Sequence, residues 1–123
     1  MPFEYVRPDT LPDALAALAA PGATAIGGGT DLLVCIEEGV VAAQTVVDLR
    51  ARPDAHEISV PSDGSVRLGA AVRIAAIASH ATLRESFPSL AAAAASVGTP
   101  ALRHMGTLGG NLGQRPRCWY LRR

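Results

Sequence analysis

Lysine is absent from the sequence: all 11 basic residues are arginines, and 11 acidic residues balance them. A chain without lysine cannot form a Walker loop, whose lysine contacts the phosphates of a nucleotide. The formal net charge of zero also provides no overall field that would attract nucleic acid or an anionic membrane. We therefore expect neither nucleic acid nor a membrane among the partners of this protein.

Long apolar segments are also missing. No run is long enough to cross a bilayer, and the sequence does not open with the basic and then apolar segments of a secretion signal. The expected location is the cytoplasm, and a signal on a partner subunit would still allow export to the periplasm.

Cysteine, histidine and aromatic residues are few. Cys35 and Cys118 lie far apart and form neither a disulfide framework nor a CxxC metal motif. Cys35 stands in an apolar segment, which predicts a packed core residue. The three histidines are not spaced as metal ligands and no Ser/His/Asp constellation is present, so no catalytic residue is predicted. With 4% aromatic residues and abundant alanine, the core is expected to be thinly filled.

Glycine, by contrast, is concentrated in two stretches. Gly27–Gly29 follow an apolar segment and precede Thr30 and Asp31, which begin the next helix, although Asp31 could equally serve only as the helix cap. Consecutive glycines allow positive φ and leave peptide N–H groups open to a ligand, and a helix start favours an anion. A second stretch, residues 106–111 (GTLGGN), lies near the far end. The two stretches predict two bare loops that close on one diphosphate-bearing cofactor.

The pattern of apolar residues predicts an α+β domain with a small mixed or parallel sheet flanked by helices. Thr10 and Ser89 are the expected N-caps of the first and the alanine-rich helix. The predicted strands are 3–6, 24–26 and 44–49, followed by a hairpin of 58–60 with 66–68, and the predicted helices are 11–19, 32–36, 74–81 and 89–97.

A dinucleotide-binding Rossmann fingerprint fits only in part. Gly27–Gly29 supply its first two glycines, and Asp48 ends a strand about 20 residues later, where a ribose-binding carboxylate would lie. However, Leu32 occupies the position of the third glycine, and the stretch 106–111 has no role in such a protein. An NAD-dependent Rossmann oxidoreductase is therefore the alternative.

Several motifs occur together, in order, over nearly the whole chain. They are Phe3-Glu4-Tyr5 with Arg7-Pro8, Gly28-Gly29-Thr30-Asp31-Leu32-Leu33, Val47-Asp48-Leu49, Leu68-Gly69-Ala70-Ala71-Val72 and Arg103-His104-Met105-Gly106-Thr107-Leu108-Gly109-Gly110-Asn111-Leu112. With them, the chain resembles the N-terminal part of the FAD-binding subunit of molybdenum hydroxylases. These are the xanthine dehydrogenase, aldehyde oxidoreductase and carbon monoxide dehydrogenase group, with a flavin domain of the p-cresol methylhydroxylase (vanillyl-alcohol oxidase) type.

The resemblance implies the cofactor, the partners and the residues of the site. The cofactor would be FAD, which takes electrons from iron–sulfur centres and passes them to an external acceptor. The partners would be a molybdopterin-binding large subunit and a 2Fe-2S small subunit. The residues implied to contact FAD are Ile26, Gly27, Gly28, Gly29, Thr30, Asp31, Leu32, Thr107, Leu108, Gly109, Gly110 and Asn111.

The last segment is similar to a subgroup of these subunits, in aldehyde oxidoreductase and 4-hydroxybenzoyl-CoA reductase, that binds an additional 4Fe-4S cluster. Cys118 matches the first cysteine of that insertion, but a cluster needs four thiolates, so one is expected only in a longer chain. Residues 1–123 would then be the N-terminal part of the FAD domain, with its second subdomain and the C-terminal domain absent. As a further alternative, the arginines around Trp119 and Tyr120 could form a non-enzymatic binding module.

Overall fold

A computed structural model describes residues 3–115 and residue 120 of the chain. It contains five strands and seven α-helices within these residues, with two short 3-10 helices after the third strand. The elements are β1 (Glu4–Val6), α1 (Leu11–Leu18), β2 (Ala23–Ile26), α2 (Leu32–Glu37), β3 (Thr45–Asp48), the 3-10 helices Leu49–Ala51 and Pro53–His56, β4 (Ile58–Ser59), β5 (Arg67–Leu68), α3 (Ile74–Ser79), α4 (Ala81–Ser86), α5 (Pro88–Ser96), α6 (Pro100–Met105) and α7 (Leu108–Gly113).

The first half of the chain forms a three-stranded parallel sheet in the order β1-β3-β2. Its central strand β3 is β-branched, and Val46 and Val47 are fully buried, as expected for a strand with neighbours on both sides. Strands β4 and β5 form the predicted antiparallel hairpin. Because the three sheet strands are parallel, their carboxyl ends lie at one edge, where ligands bind in open α/β sheets.

Helix α1 begins as predicted. The Thr10 hydroxyl accepts a hydrogen bond of 3.2 Å from the Asp13 amide and so caps the helix. The helix packs against β2 and β3. Only Ala14 of this helix is buried, whereas Leu11 and Leu15 are each about half exposed, so α1 contributes little to the core.

The second half is a helical layer around a core formed by Val72, Ile74, Ile77, Leu83 and Ala94. The single helix expected over 74–81 ends at Ser79, and a separate helix α4 follows. The break lies at His80, whose extended backbone starts α4 and whose Nδ1 accepts a hydrogen bond of 3.4 Å from the Leu83 amide. The break turns the chain so that Leu83 is fully buried.

The predicted capping role of Ser89 is wrong. Helix α5 begins at Pro88, and Phe87 occupies the cap position without a side-chain hydrogen bond. Proline suits this first position because its missing N–H would have no partner within the helix.

At the other end of α5, the Arg103 guanidinium donates hydrogen bonds to the carbonyls of Val97 at 2.9 Å and Gly98 at 3.2 Å. This side chain joins the end of α5 to α6.

Among the described residues, no helix is both long and apolar enough to span a bilayer.

Candidate functional site

A cavity of about 760 Å³ lies where the carboxyl ends of β2 and β3 meet α6 and α7. This volume is within the range of about 300–1,000 Å³ that is usual for small-molecule sites. The cavity wall contains both glycine stretches, including residues 26–32, Thr107 and residues 109–111. Leu108 alone among the predicted cofactor residues is not in the wall, because its side chain packs against the core of the helical layer.

The two glycine stretches are in direct contact. A side chain at Gly28 would overlap the carbonyl of Met105, and one at Gly27 would overlap the hydroxyl of Thr107. Gly29 has a φ of +76°, a conformation that residues with a side chain rarely adopt. The first stretch therefore needs glycine partly to approach the second, in addition to any approach by a ligand.

The amides of the first stretch remain open. Within the part of the chain that the structure describes, the N–H groups of Gly28 and Gly29 donate no hydrogen bond. Backbone N–H groups without partners at the wall of a cavity favour an anionic ligand, since they can donate to it without breaking a hydrogen bond within the protein. Helix α2, which follows, has only six residues, so these amides rather than the dipole of a long helix provide the attraction.

The second stretch differs from the prediction of a bare loop. Thr107 caps α7, and its buried hydroxyl accepts a hydrogen bond of 3.2 Å from the Gly110 amide. The amide of Leu108 donates to the Val72 carbonyl and that of Gly109 to the Ala70 carbonyl, each at 2.8 Å. The amides of residues 108–110 are therefore already hydrogen-bonded, because backbone carbonyls about 36 to 39 positions earlier and the helix cap accept from them.

Gly109 explains part of the sequence motif at residues 68–72. An added Cβ at Gly109 would lie 3.0 Å from both the Cβ and the carbonyl oxygen of Ala70, closer than side chains normally pack. A Cβ at Gly69 would overlap the carbonyl of Ala55. Gly109 and Ala70 therefore let α7 approach the segment before α3, and Gly69 lets that segment approach the second 3-10 helix.

Asp31 and Cys35 occupy one side of the cavity wall. Asp31 lies at the N-cap position of α2, but its carboxylate makes no capping hydrogen bond. The Cys35 thiol donates to Asp31 Oδ2 over 3.9 Å, and Cys35 is buried as predicted. The interpretation of Asp31 as only a helix cap is therefore not supported by the position of its side chain.

A charged cluster at the end of β3 was not predicted as part of the site. The buried carboxylate of Asp48 accepts hydrogen bonds from Arg50 Nε at 2.9 Å and Nη2 at 3.0 Å, and from the Arg50 amide at 2.9 Å. The Tyr5 hydroxyl also donates to Asp48 Oδ2. Burial acts to raise the pKa of Asp48, but the hydrogen bonds from Arg50 and Tyr5 outweigh it and lower the pKa to about 2.

This pairing bears on the Rossmann alternative. In that alternative Asp48 binds a ribose hydroxyl, yet its two oxygens already accept hydrogen bonds from Arg50 and Tyr5. Arg50, rather than Asp48, lines the cavity. The sequence contains a signal for Arg50, since it directly follows the predicted strand 44–49, at the edge of a sheet where ligands bind.

The structure contains no candidate metal centre within residues 3–115. His56 Nε2 hydrogen-bonds with the Arg50 carbonyl at 2.8 Å, and His80 caps α4 through its Nδ1. Cys118, the predicted iron–sulfur ligand, lies outside the described residues, as do Trp119 and most of the arginine-rich tail.

Residues 1–117 match the family described as the FAD binding domain in molybdopterin dehydrogenase. The chain belongs to this family. Membership confirms the predicted resemblance and the α+β fold class, and it disfavours the Rossmann alternative. FAD is the ligand named for this family. The cavity with its open glycine amides fits such a cofactor, which carries a diphosphate.

Named relatives agree with the family. The chain is 33% identical over 109 residues to a xanthine dehydrogenase FAD-binding subunit of Escherichia coli, covering 88% of this chain and 37% of the relative. It is 34% identical over 119 residues to an aldehyde oxidoreductase FAD-binding subunit of Escherichia coli, covering 96% of this chain and 37% of the relative. The chain therefore spans less than two-fifths of the length of these curated relatives.

Solved structures extend the likeness to the fold. A chain of quinoline 2-oxidoreductase from Pseudomonas putida 86 superposes with a TM-score of 0.85 at 34% identity, over 91% of this chain and 39% of that one. A chain of carbon monoxide dehydrogenase from Hydrogenophaga pseudoflava gives a TM-score of 0.86 at 26% identity, again over 91% and 39%. At these TM-scores, both chains share the fold described above over most of this chain.

Proposed function

We propose that this chain forms the diphosphate-binding part of the FAD-binding subunit of a molybdenum hydroxylase. The observation that carries the proposal is the pair of open amides at Gly28 and Gly29 on the wall of a cavity of about 760 Å³. Both amides lie at the carboxyl edge of a parallel sheet, the usual position for such a ligand. Family membership supports FAD as that ligand.

Within this proposal the two stretches have different tasks. Residues 26–32 hold the diphosphate through backbone N–H groups, since an anion supplies the acceptor that Gly28 and Gly29 lack. Residues 107–111 flank the diphosphate and the flavin, and their internal hydrogen bonds fix the position of the first stretch. FAD, when bound, supplies the electron-transfer chemistry, and the protein supplies binding and orientation.

The same proposal includes the wider assembly. Electrons would arrive through iron–sulfur centres on partner chains and leave to an external acceptor, with no catalytic side chain needed on this chain. The partners would be a molybdopterin-binding large subunit and a 2Fe-2S small subunit, in the cytoplasm. Several relatives are named as subunits or as a medium chain, which supports a multi-subunit assembly.

Two further parts of the proposal concern the extent of the chain. Residues 1–123 would be the N-terminal part of the FAD domain, consistent with the coverage of less than two-fifths of its relatives. Cys118 would ligate a 4Fe-4S cluster only in a chain that supplies three more cysteines. Sequencing of the transcript beyond residue 123 tests both, because it shows whether those cysteines and the second subdomain follow.

A binding experiment tests the proposed cofactor. We expect the 123-residue chain to bind FAD weakly, with a Kd on the order of 0.1–1 mM, because a ligand held from one side keeps much of its apolar surface in water. Titration of the isotopically labelled chain with FAD, followed by amide NMR, should shift the signals of Gly28 and Gly29. NAD, which has the diphosphate but no flavin, should bind more weakly. Absence of any shift with FAD, or tighter binding of NAD, would contradict the proposal.

A matched pair of variants separates ligand binding from backbone strain. Gly29 and Gly39 have nearly the same positive φ, +76° and +73°, but only Gly29 lines the cavity. Gly29→Ala and Gly39→Ala should therefore share the cost of the positive φ, about 1 kcal/mol each, and Gly29→Ala should lose somewhat more stability because its Cβ would lie 3.0 Å from Leu33 Cδ1. Only Gly29→Ala should lose FAD binding, since it changes the direction of the neighbouring amides. Equal FAD binding by both variants would argue against the first stretch as the phosphate site.

A further inference from the structure

Three parallel strands end at the same edge, and each end carries a group suited to an anion. Gly27–Gly29 follow β2, Arg50 follows β3 by two residues, and Arg7 follows β1 directly. Arg50 belongs to the cavity wall together with the glycines. The family's glycine motifs account for the first of these groups and not for the arginines.

The guanidinium of Arg50 is held in a fixed orientation. Its Nε and Nη2 bind the two oxygens of Asp48, a paired geometry that restricts an arginine side chain. Asp48 itself is 1% exposed and is further fixed by the Tyr5 hydroxyl. The third nitrogen, Nη1, makes no hydrogen bond to the residues that the structure describes, and about one third of the side chain is exposed. Arg50 can therefore donate to a further acceptor without breaking its pair with Asp48.

The charges of this cluster leave an excess of one positive charge. Arg50 neutralises Asp48, and Arg7 Nε lies 3.9 Å from Asp48 Oδ2 as a second, largely exposed cation. The other charged residues of the cavity wall are Asp31 and Arg115, which carry opposite charges. The edge of the sheet beside the glycine stretch is thus positive, in a chain whose formal net charge is zero.

We propose that Arg50 is a cofactor-binding residue that donates from Nη1 to the diphosphate, and that Asp48 and Tyr5 are the positioning residues that hold it there. The inference rests on the proposed function and adds a side chain to a site otherwise built from backbone. It also explains why a carboxylate is buried at this edge, next to a site for an anion: Asp48 orients the guanidinium, and Arg50 and Arg7 together more than balance its charge.

Variants of two similar arginines test this proposal. Arg50→Met removes the charge at the cavity, whereas Arg52→Met removes an arginine that pairs with Asp54 in the same bidentate manner outside the cavity wall. ADP and adenosine are the probes, because they differ only in the diphosphate. We expect Arg50→Met to weaken ADP binding about tenfold and to leave adenosine binding unchanged, with no effect of Arg52→Met. The affinity for ADP should also depend less on salt concentration in Arg50→Met, because one charge fewer attracts the diphosphate.

Several outcomes would overturn the proposal. ADP affinity within twofold of the unmodified chain in a folded Arg50→Met variant would exclude the contact, and an equal loss for adenosine would assign Arg50 a purely structural role. If the unmodified chain binds no FAD, the proposed function itself fails. If FAD binds equally well with and without Arg50, only the proposed role of Arg50 is contradicted. If Arg50→Met does not fold, the proposal is tested by NMR on the unmodified chain. Added pyrophosphate should then shift the side-chain Nε signal of Arg50 and not that of Arg52.

Discussion

The two glycine stretches share a composition but differ in how their backbone is used. At Gly28 and Gly29 the amides have no acceptor among the described residues, whereas the amides of Leu108 and Gly109 donate to carbonyls of the segment before α3. The first stretch is open to a ligand, and the second is part of the scaffold that holds it. Glycine content alone therefore does not identify a phosphate site, because close packing of two backbones requires the same residue.

The largest expected effect tests the contact between the stretches. In Gly28→Ala the new Cβ would overlap the Met105 carbonyl, which is backbone and cannot rotate away. We expect the free energy of unfolding to fall by about 3 kcal/mol or more, measured by denaturant titration. Gly39→Ala is the control, because an added Cβ there meets no atom within 4 Å and only the positive φ opposes it. Similar losses for the two variants would mean that the stretches do not pack as described.

A second prediction concerns the strand ends beside the first stretch. The folded pKa of Asp48, about 2, lies below its ordinary value of 3.8, so its stabilisation is complete above about pH 4 and is lost as the pH falls towards 2. The shift corresponds to roughly 2 kcal/mol. Asp48→Asn should remove this pH dependence and displace the amide signals of Gly28 and Gly29 more than that of Gly109.

The matched control for Asp48 is Asp54. Its pKa is also lowered, chiefly by a hydrogen bond from Arg52, but it lies exposed on the surface. Solvent screens exposed ion pairs, so Asp54→Asn should change the unfolding free energy and its pH dependence much less. An equal acid dependence in the Asp48→Asn variant and the unmodified chain would show that the buried pair does not stabilise this edge.

The smallest expected effect concerns the scaffold role of the second stretch. Thr107→Val keeps the shape of a buried side chain but removes the hydroxyl that accepts from the Gly110 amide. Loss of this cap should cost about 1 kcal/mol and speed hydrogen exchange at Gly110, while Thr107→Ser should retain the bond. Unchanged stability and exchange in Thr107→Val would contradict the scaffold role.

The parts of the fold that the sequence predicts are those with local causes. Thr10 and Asp13 specify a cap within one turn, and Thr45–Val47 form a β-branched run typical of a central strand. The sequence does not predict helix α4, because its six residues show too little periodicity and its start depends on His80, an uncommon capping residue.

The site was predictable only in outline. The position of both glycine stretches at one cavity followed from the sequence, as did a buried Cys35. The acceptors of the Leu108 and Gly109 amides are Val72 and Ala70, and no local pattern indicates such a distant pairing. The position of Arg50 after a strand is by itself a weak signal, because a charged residue there is most often solvated.

Amide hydrogen exchange, measured with and without FAD, tests the central claim most directly. In the free chain, Gly28 and Gly29 should exchange rapidly, and Leu108 and Gly109, which are hydrogen-bonded, should exchange slowly. Saturating FAD should slow exchange at Gly28 and Gly29 selectively, because the diphosphate becomes the acceptor of their N–H groups. Unchanged exchange at Gly28 and Gly29, with protection gained only at residues 108–110, would contradict the account and assign the diphosphate to the second stretch.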